Sequence, residues 1–343
     1  MKAKIGTFPQ DRQVLHEILP LDTPLCVDIH MTHLCNFRCN YCLLSQPDEI
    51  FAKSGLPREV MTWEDFSLLV EQLKGFPSKI KMITMCGIGE ATTHPRVVDM
   101  VKALYDANVT EKIQIITNGA LLTPELGEKL VAAGLSELRI SLQGLSAEKY
   151  LEVAGVEINW DIFYANICHF SKIKGNCELK VKVADIALEP GEDELFYALF
   201  GDICDAVAIE HIYDAWTQNN WDLDIEQKPS QKTRYGLDPR IINVCRYPLT
   251  RFDILPNGMF TQFCHIQFGH EKHIRECSVV EQWNSLQQHQ FQLRMLKGGR
   301  SQFSACKVCN MCESTWHPED ILEGHEAEII ERMKQKYGIE DEE

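Results

Sequence analysis

Cys35, Cys39 and Cys42 form a C-x3-C-x2-C run in the stretch HLCNFRCNYC, directly after an apolar, strand-like segment over 25–31. Three thiolates at this spacing can each hold one iron of a [4Fe–4S] cube, which leaves the fourth iron without a protein ligand. An open iron can bind a small molecule through an amine and a carboxylate and pass it one electron. Zinc is the competing reading, with His33 or a distant residue closing the site, or a reactive water in the fourth position.

A second cysteine group lies downstream: Cys245, Cys264, Cys306, Cys309 and Cys312. Asn257-Gly258 between two short apolar runs predicts a hairpin that brings Cys245 and Cys264 to one end. Cys245, Cys264, Cys306 and Cys309 can fully ligate one auxiliary [4Fe–4S] cluster, with Cys312 and Cys277 left over. Spacing does not settle which of the last three cysteines is the spare one, and a zinc ribbon would use the same frame. Cys26, Cys86, Cys168, Cys177 and Cys204 stand singly among apolar residues and read as small buried hydrophobes. With 14 cysteines in a chain that carries no secretory signal, metal is a better explanation for the clusters than disulfides.

The elements that must position these residues alternate along the chain. Apolar runs over 25–31, 80–85, 112–117, 137–142, 179–187 and 206–212 read as strands. Helix-period segments over 62–73, 96–106, 123–133, 161–173 and 192–200 lie between them. Repeated strand–helix units imply an α/β fold with a parallel sheet and right-handed crossovers. Six units cannot close an eight-unit barrel, so an open, partial (β/α)6 TIM-like barrel is expected. Strands covered on both faces should be almost wholly apolar. Here Asp28, His30 and Thr32 share one face, as do Arg139, Ser141 and Gln143, and Lys180 and Lys182. That polar face must look into the barrel lumen, where it makes a ligand cavity.

The domain reading is a lead segment over 1–24, the barrel over 25–212, a polar linker or lid over 213–244, and a cysteine-rich domain of short, mostly non-helical runs over 245–316. A terminal helix over 325–336 and an acidic tail complete 317–343. At the C-terminal rim of the strands, Gly87 and Gly89 in MCGIGEATTHP let backbone approach a ligand, and Glu90 offers a carboxylate. Thr117-Asn118-Gly119 and Ser141-Leu142-Gln143-Gly144 add polar side chains at the same rim, where parallel sheets bind ligands. Lys180, Tyr213 and Asp214 are further candidates for substrate contact. Arg139, Lys182, Glu210 and His211 are the catalytic candidates, one of them as general base.

The cysteine run with Tyr41 beside its last member resembles the signature of the radical S-adenosylmethionine (SAM) superfamily. The G-x-G-E segment resembles that superfamily's motif for the SAM ammonium group, although Ile88 separates the two glycines. Asn118, Ser141 and Gln143 fall where relatives contact the SAM ribose and carboxylate, with Gln143 replacing a more usual acidic residue. Tyr41 falls where it would shield the cluster and lie near the adenine. The frame from Cys245 through VVEQW, FQLRMLKGG and CKVC resembles the SPASM/twitch auxiliary domain. The resemblance covers residues 25 to about 312.

It implies reductive cleavage of SAM to a 5′-deoxyadenosyl radical, abstraction of a substrate hydrogen atom, and an auxiliary cluster that accepts an electron. It also implies an external one-electron reductant of the flavodoxin or ferredoxin type. The short lead segment and the charged lumen favour oxidation of a sugar, sugar nucleotide or aminocyclitol. A peptide-modifying maturase (epimerisation or crosslinking) is the alternative, and a non-catalytic metal-binding protein a remote one.

Composition narrows the partners. Against 34 basic residues stand 50 acidic ones, for a net charge of −16, which argues against nucleic acid. No apolar run is long enough to span a bilayer and the N-terminus lacks a signal-peptide core, so no membrane partner and a cytoplasmic location are expected.

Overall fold

The computed structural model describes residues 2–6, 12–212, 232–261 and 272–339. Ten strands are present among the described residues: β1 (Lys4–Ile5), β2 (Cys26–His30), β3 (Ile80–Cys86), β4 (Thr110–Thr117), β5 (Glu137–Leu142), β6 (Glu178–Ala184), β7 (Ala206–Glu210), β8 (Arg251–Ile254), β9 (Met259–Thr261) and β10 (Lys272–His273). They form one sheet in the order β1-β7-β6-β5-β4-β3-β2-β8-β9-β10. Every pairing from β1 to β8 is parallel, whereas β9 and β10 run antiparallel. β2 to β7 are the six strands predicted from sequence, and they pair in chain order as an open, partial barrel.

The helices between them start and stop where their sequences direct. Thr62, Thr123 and Asn159 cap Trp63–Leu73, Pro124–Ala132 and Trp160–Ile173 by accepting from the amides of Asp65, Leu126 and Ile162. Asn108, in the left-handed conformation at φ 55°, closes Val97–Ala107. Two strand ends fall short of expectation. β6 stops at Ala184 because Asp185 turns the chain, its carboxylate taking the amides of Ile186 and Ile212, and β7 stops at Glu210.

The cysteine-rich region is more helical than its sequence suggested. Leu286–Gly298 is a full helix, capped by Ser285 and burying Phe291, Leu293, Met295 and Leu296. Cys306 and Cys312 lie on the short helices Ser304–Val308 and Met311–Ser314. The terminal helix is Glu326–Tyr337.

The apolar cores divide the chain differently from the linear domain reading. The core between sheet and helices takes in Ala3 at the start and Phe252, Phe260, Ile274 and Trp283 near the end. A second core joins Leu15 and Leu19 to Ile242, Val244, Phe291, Met295 and Ile329. β8 to β10 therefore belong to the barrel sheet, because β8 adds in parallel to the free edge of β2. The lead segment is shared between both cores. Only residues from 232 onward of the expected linker or lid are described. Tyr213, Asp214, Cys264 and the end of the acidic tail lie outside the described residues.

Inside the barrel the polar strand faces form two layers, not one open lumen. Glu137 is the hub of the lower layer. Its Oε1 accepts from Gln114 Nε2 and, at 2.8 Å, from Arg139 Nη2, and its Oε2 accepts from Lys180 Nζ at 2.6 Å. All four side chains are buried. The charges lie on the same strand face as the cavity residues but pair with Glu137 below it, so Arg139 and Lys180 are not among the cavity-lining residues. Among the described residues no helix is long and apolar enough to cross a membrane.

Candidate active site

The loop after β2 carries the first three cysteines, and neighbouring segments hold its backbone. His33 and Met61 amides bond the carbonyls of Glu59 and Met31, while those of Arg38 and Asn40 bond Ala154 and Val153. Phe37 packs edge-on against Tyr150 at 5.9 Å. Burial pushes the Cys35 thiol up to about 11 and Cys39 up to about 12, and the nearby sulfurs add to both shifts. Burial also raises Cys42.

Amides oppose this: Phe37 N–H lies 3.4 Å from Cys35 Sγ, and the Leu44 amide favours the Cys42 thiolate. Three soft donors with amides aimed at the sulfur fit an iron–sulfur cluster. Binding metal would replace the protons that burial favours. Among the described residues no three His, Cys, Asp or Glu side chains converge as ligands of a single ion do. Thiolates of a cube, each on its own iron, need no such convergence.

His33 does not complete a zinc site, since both its ring nitrogens are engaged. Nδ1 lies 2.6 Å from the Pro57 carbonyl, which can only accept, so Nδ1 carries the proton. Nε2 lies 3.0 Å from His30 Nδ1, and His30 Nε2 lies 3.5 Å from Asp253 on β8. This buried chain ties the cysteine loop to both β2 and β8. His30→Leu, which keeps the volume and removes both contacts, is expected to cost about 1–3 kcal/mol of stability. The urea midpoint measures that loss; an unchanged midpoint would mean the chain of contacts contributes nothing.

The glycine–glutamate turn is shaped by the protein's own backbone. A Cβ on Gly89 would sit 2.2 Å from the Thr32 carbonyl oxygen, and one on Gly87, at φ +134°, would strike His30 Nδ1 at 2.8 Å. Close approach to a ligand is therefore not needed to explain these glycines. Glu90 is buried; its Oε1 accepts from Thr92 N–H, Thr92 Oγ1 and Thr117 Oγ1 at 3.0, 2.6 and 2.6 Å, and its Oε2 from Asn118 N–H at 2.6 Å. It thus joins the ends of β3 and β4. Asn118 Nδ2 donates to Asn36 Oδ1 at 2.7 Å, beside the first cysteine.

A cavity of about 510 Å³ opens at the C-terminal ends of the strands. Tyr41 and Cys42 line one end, and the Tyr41 hydroxyl donates to Gln143 Oε1. Gly87, Ser141 and Gln143 lie on the wall, whereas Gly89, Glu90 and Asn118 are not part of it.

Lys182, Glu210 and Arg234 form a charged set on the lining, with Glu210 buried and the two cations partly exposed. Lys182 sits beside Ser141 in register, and Glu210 lies two residues beyond its β7 partner Ala208, on the same face. Glu210 Oε2 accepts from Lys182 Nζ at 2.7 Å and from Arg234 Nε at 2.8 Å. Burial and then the Arg234 charge lower Lys182 to about 8, against the pull of Glu210. Burial opposes ionisation of Glu210 too, but Arg234 and Lys182 outweigh it and hold the carboxyl at about 2. His211 also lines the cavity, with Nδ1 2.8 Å from Asp185 Oδ2. Arg139, a catalytic candidate by sequence, does not reach the lining, because Glu137 holds it in the layer below.

The rest of the wall was not foreseen. Arg251 pairs with Asp28, and Tyr247, Met311 and Thr315 come from the C-terminal part. Arg251 and Asp253 repeat the period-2 polar alternation of Asp28 and His30, a signal that would have marked them. Nothing local to Arg234 signals its place.

In the second cysteine group, Cys312 keeps company with the other cysteines. It is buried beside Cys245, whose hydrogen bond pushes it far up, with burial second. Cys306, raised by burial to about 12, feels both Cys309 and Cys312, and Met311 N–H points to Cys309 Sγ at 3.4 Å. Cys245, Cys306, Cys309 and Cys312 are therefore neighbours among the described residues. Cys277 stands apart, bonded to Glu281 and the Ser278 carbonyl.

Residues 29–187 match the model of the radical SAM superfamily. The GTP 3',8-cyclase of Nostoc punctiforme is 32% identical over 127 residues, 37% of each chain. The AdoMet-dependent heme synthase of Methanosarcina barkeri is 27% identical over 135 residues, 39% of this chain and 36% of that one. The chain thus spans little more than a third of the length of these curated relatives. Among solved structures, BtrN in complex with AdoMet and 2-DOIA superposes with a TM-score of 0.51 at 18% identity, covering 86% of this chain and 97% of that one. Streptococcus suis SuiB bound to S-adenosylmethionine gives 0.56 at 16%, covering 91% and 78%. At these identities the likeness is one of fold. The superfamily works with a [4Fe–4S] cluster and SAM, cofactors that the cysteine loop suits. Residues 29–187 of this chain are thus a radical SAM domain.

Proposed function

We propose that this chain is an oxidoreductase that dehydrogenates a small polar substrate, of the sugar, sugar nucleotide or aminocyclitol class. The supporting observation is one cavity whose lining runs from Tyr41 and Cys42 to the charged set Lys182, Glu210 and Arg234. Cys35, Cys39 and Cys42 would hold the first cluster, with Tyr41, Gly87, Gly89, Glu90, Asn118, Ser141 and Gln143 around SAM. When bound, these cofactors supply a 5′-deoxyadenosyl radical that takes a hydrogen atom.

A two-electron oxidation also releases a proton and an electron. Lys182, lowered to about 8, is matched to take a hydroxyl or amine proton near neutral pH. Glu210 and Arg234 orient the substrate's polar groups, and His211 with Asp185 borders the same space. Cys245, Cys306, Cys309 and Cys312 would hold an auxiliary [4Fe–4S] centre, whose chemistry is to accept one electron. An external one-electron reductant of the flavodoxin or ferredoxin type would start each turnover.

The test is anaerobic: protein reconstituted with iron and sulfide, plus SAM and reductant, assayed for 5′-deoxyadenosine. Separate arms contain sugars and aminocyclitols, a peptide fraction, or GTP, each repeated with Cys35→Ala. Product raised by the sugar or cyclitol arm and abolished by Cys35→Ala is the expected result. Stimulation confined to peptide or to GTP would sink the substrate class, and no cleavage under any condition would sink the radical chemistry.

A further inference from the structure

Arg300 follows the helix Leu286–Gly298 and is laced through the loops of the second cysteine group. Its Nε donates to the Cys306 carbonyl at 3.1 Å and its Nη2 to the Cys309 carbonyl. Nη1 donates to the Ile242 carbonyl at 2.7 Å and pairs with Glu313 Oε1 at 2.7 Å. Three separate segments, ending at 242, 306–309 and 313, are thereby held by one planar group. A helix-capping role does not explain this, since none of these acceptors belongs to its own helix. Lysine, with a single point of charge, could not reproduce the fork.

The side chain is 12% exposed, so its charge acts through a medium far less screening than water. It lies within electrostatic reach of Cys306, Cys309 and Cys312. Glu313 offsets the charge in part but is itself 32% exposed, where solvent weakens it. Arg246, the other arginine near Cys312, is already paired with Asp320 at 3.2 Å.

We infer that Arg300 is a positioning residue that sets the reduction potential of the auxiliary centre, gripping the backbone of two of its cysteines while its charge faces three of the four thiols. This rests on the auxiliary-cluster reading above. A four-thiolate cluster gains negative charge when it takes an electron, and a fixed desolvated cation beside it favours that state. Arg300 therefore raises the potential and suits the centre to receive an electron from substrate.

The test uses the full chain with Cys35→Ala, Cys39→Ala and Cys42→Ala, which leaves the second group as the only cluster site. About four irons per chain in this background support the auxiliary cluster, and no bound iron overturns that reading itself. Redox titration followed by electron paramagnetic resonance then compares Arg300→Gln with Arg300→Lys. The expected result is a lower potential in Arg300→Gln with iron retained, and a potential returned toward that of the background by Arg300→Lys. If Arg300→Gln loses its iron, Arg300→Lys decides: iron and potential both kept support the inference, and iron lost from both variants overturns the role of charge. A potential unmoved by Arg300→Gln, or lowered equally by both substitutions, also overturns it.

Discussion

Lys182→Met is expected to lower formation of oxidised product about 10²- to 10⁴-fold, the usual contribution of a positioned general base. Lysine ordinarily stays charged at neutral pH and is a poor proton acceptor. Here burial and the Arg234 charge lower it to about 8, while Glu210 holds it in place at 2.7 Å. Methionine keeps the stem and removes the amine. Hydrogen-atom abstraction does not need that amine, so 5′-deoxyadenosine should still form in the variant while product does not. Equal loss of both would place Lys182 in substrate or SAM binding instead.

The pH profile gives a second check. Activity that needs neutral Lys182 rises as pH climbs through about 8. Glu210 favours the charged amine, so Glu210→Gln should move this limb to lower pH. Arg234 disfavours the charged amine, so Arg234→Gln should move it higher. Shifts in the same direction would rule out Lys182 as the titrating group.

Glu137→Ala is expected to cost about 3–5 kcal/mol of folding stability, the loss typical of breaking a buried ion pair from one side. Its carboxylate takes bonds from Arg139 at 2.8 Å and Lys180 at 2.6 Å. Without it, two buried cations lose the anion between them and their repulsion is no longer offset. The control is Glu178→Ala. Glu178 also meets Lys180, at 2.9 Å, but its side chain is 39% exposed and its loss should cost less than about 1 kcal/mol. Urea unfolding compares the two variants. Equal losses would mean that the buried layer gains nothing from Glu137 beyond a surface pair.

Much of this protein was legible in its residues because the relevant signals are local. Strand and helix periods, the N-caps at Thr62, Thr123 and Asn159, and the turn at Asn257-Gly258 act over a few residues. So does the spacing of Cys35, Cys39 and Cys42, which one loop can satisfy. The polar alternation of β2, β5 and β6 correctly announced an interior polar face.

What that alternation did not say is which charges would meet. Arg139 and Lys182 lie on the same face of neighbouring strands, yet one is held by Glu137 and the other borders the cavity. Depth along the barrel decides between them, and depth depends on strand register. Arg234 and Thr315 reach the cavity because distant chain segments come to it, and Arg251 because β8 pairs with β2. Cys312 lies beside Cys245 from 67 residues away, a neighbour that spacing alone did not single out. The sequence by itself determined the elements and the first three thiols, since short-range sterics and hydrogen bonding govern them. The tertiary structure alone decided the partners of each buried charge and the placing of Cys312 beside Cys245, because desolvated groups take the nearest compatible partner in space, whatever their separation along the chain.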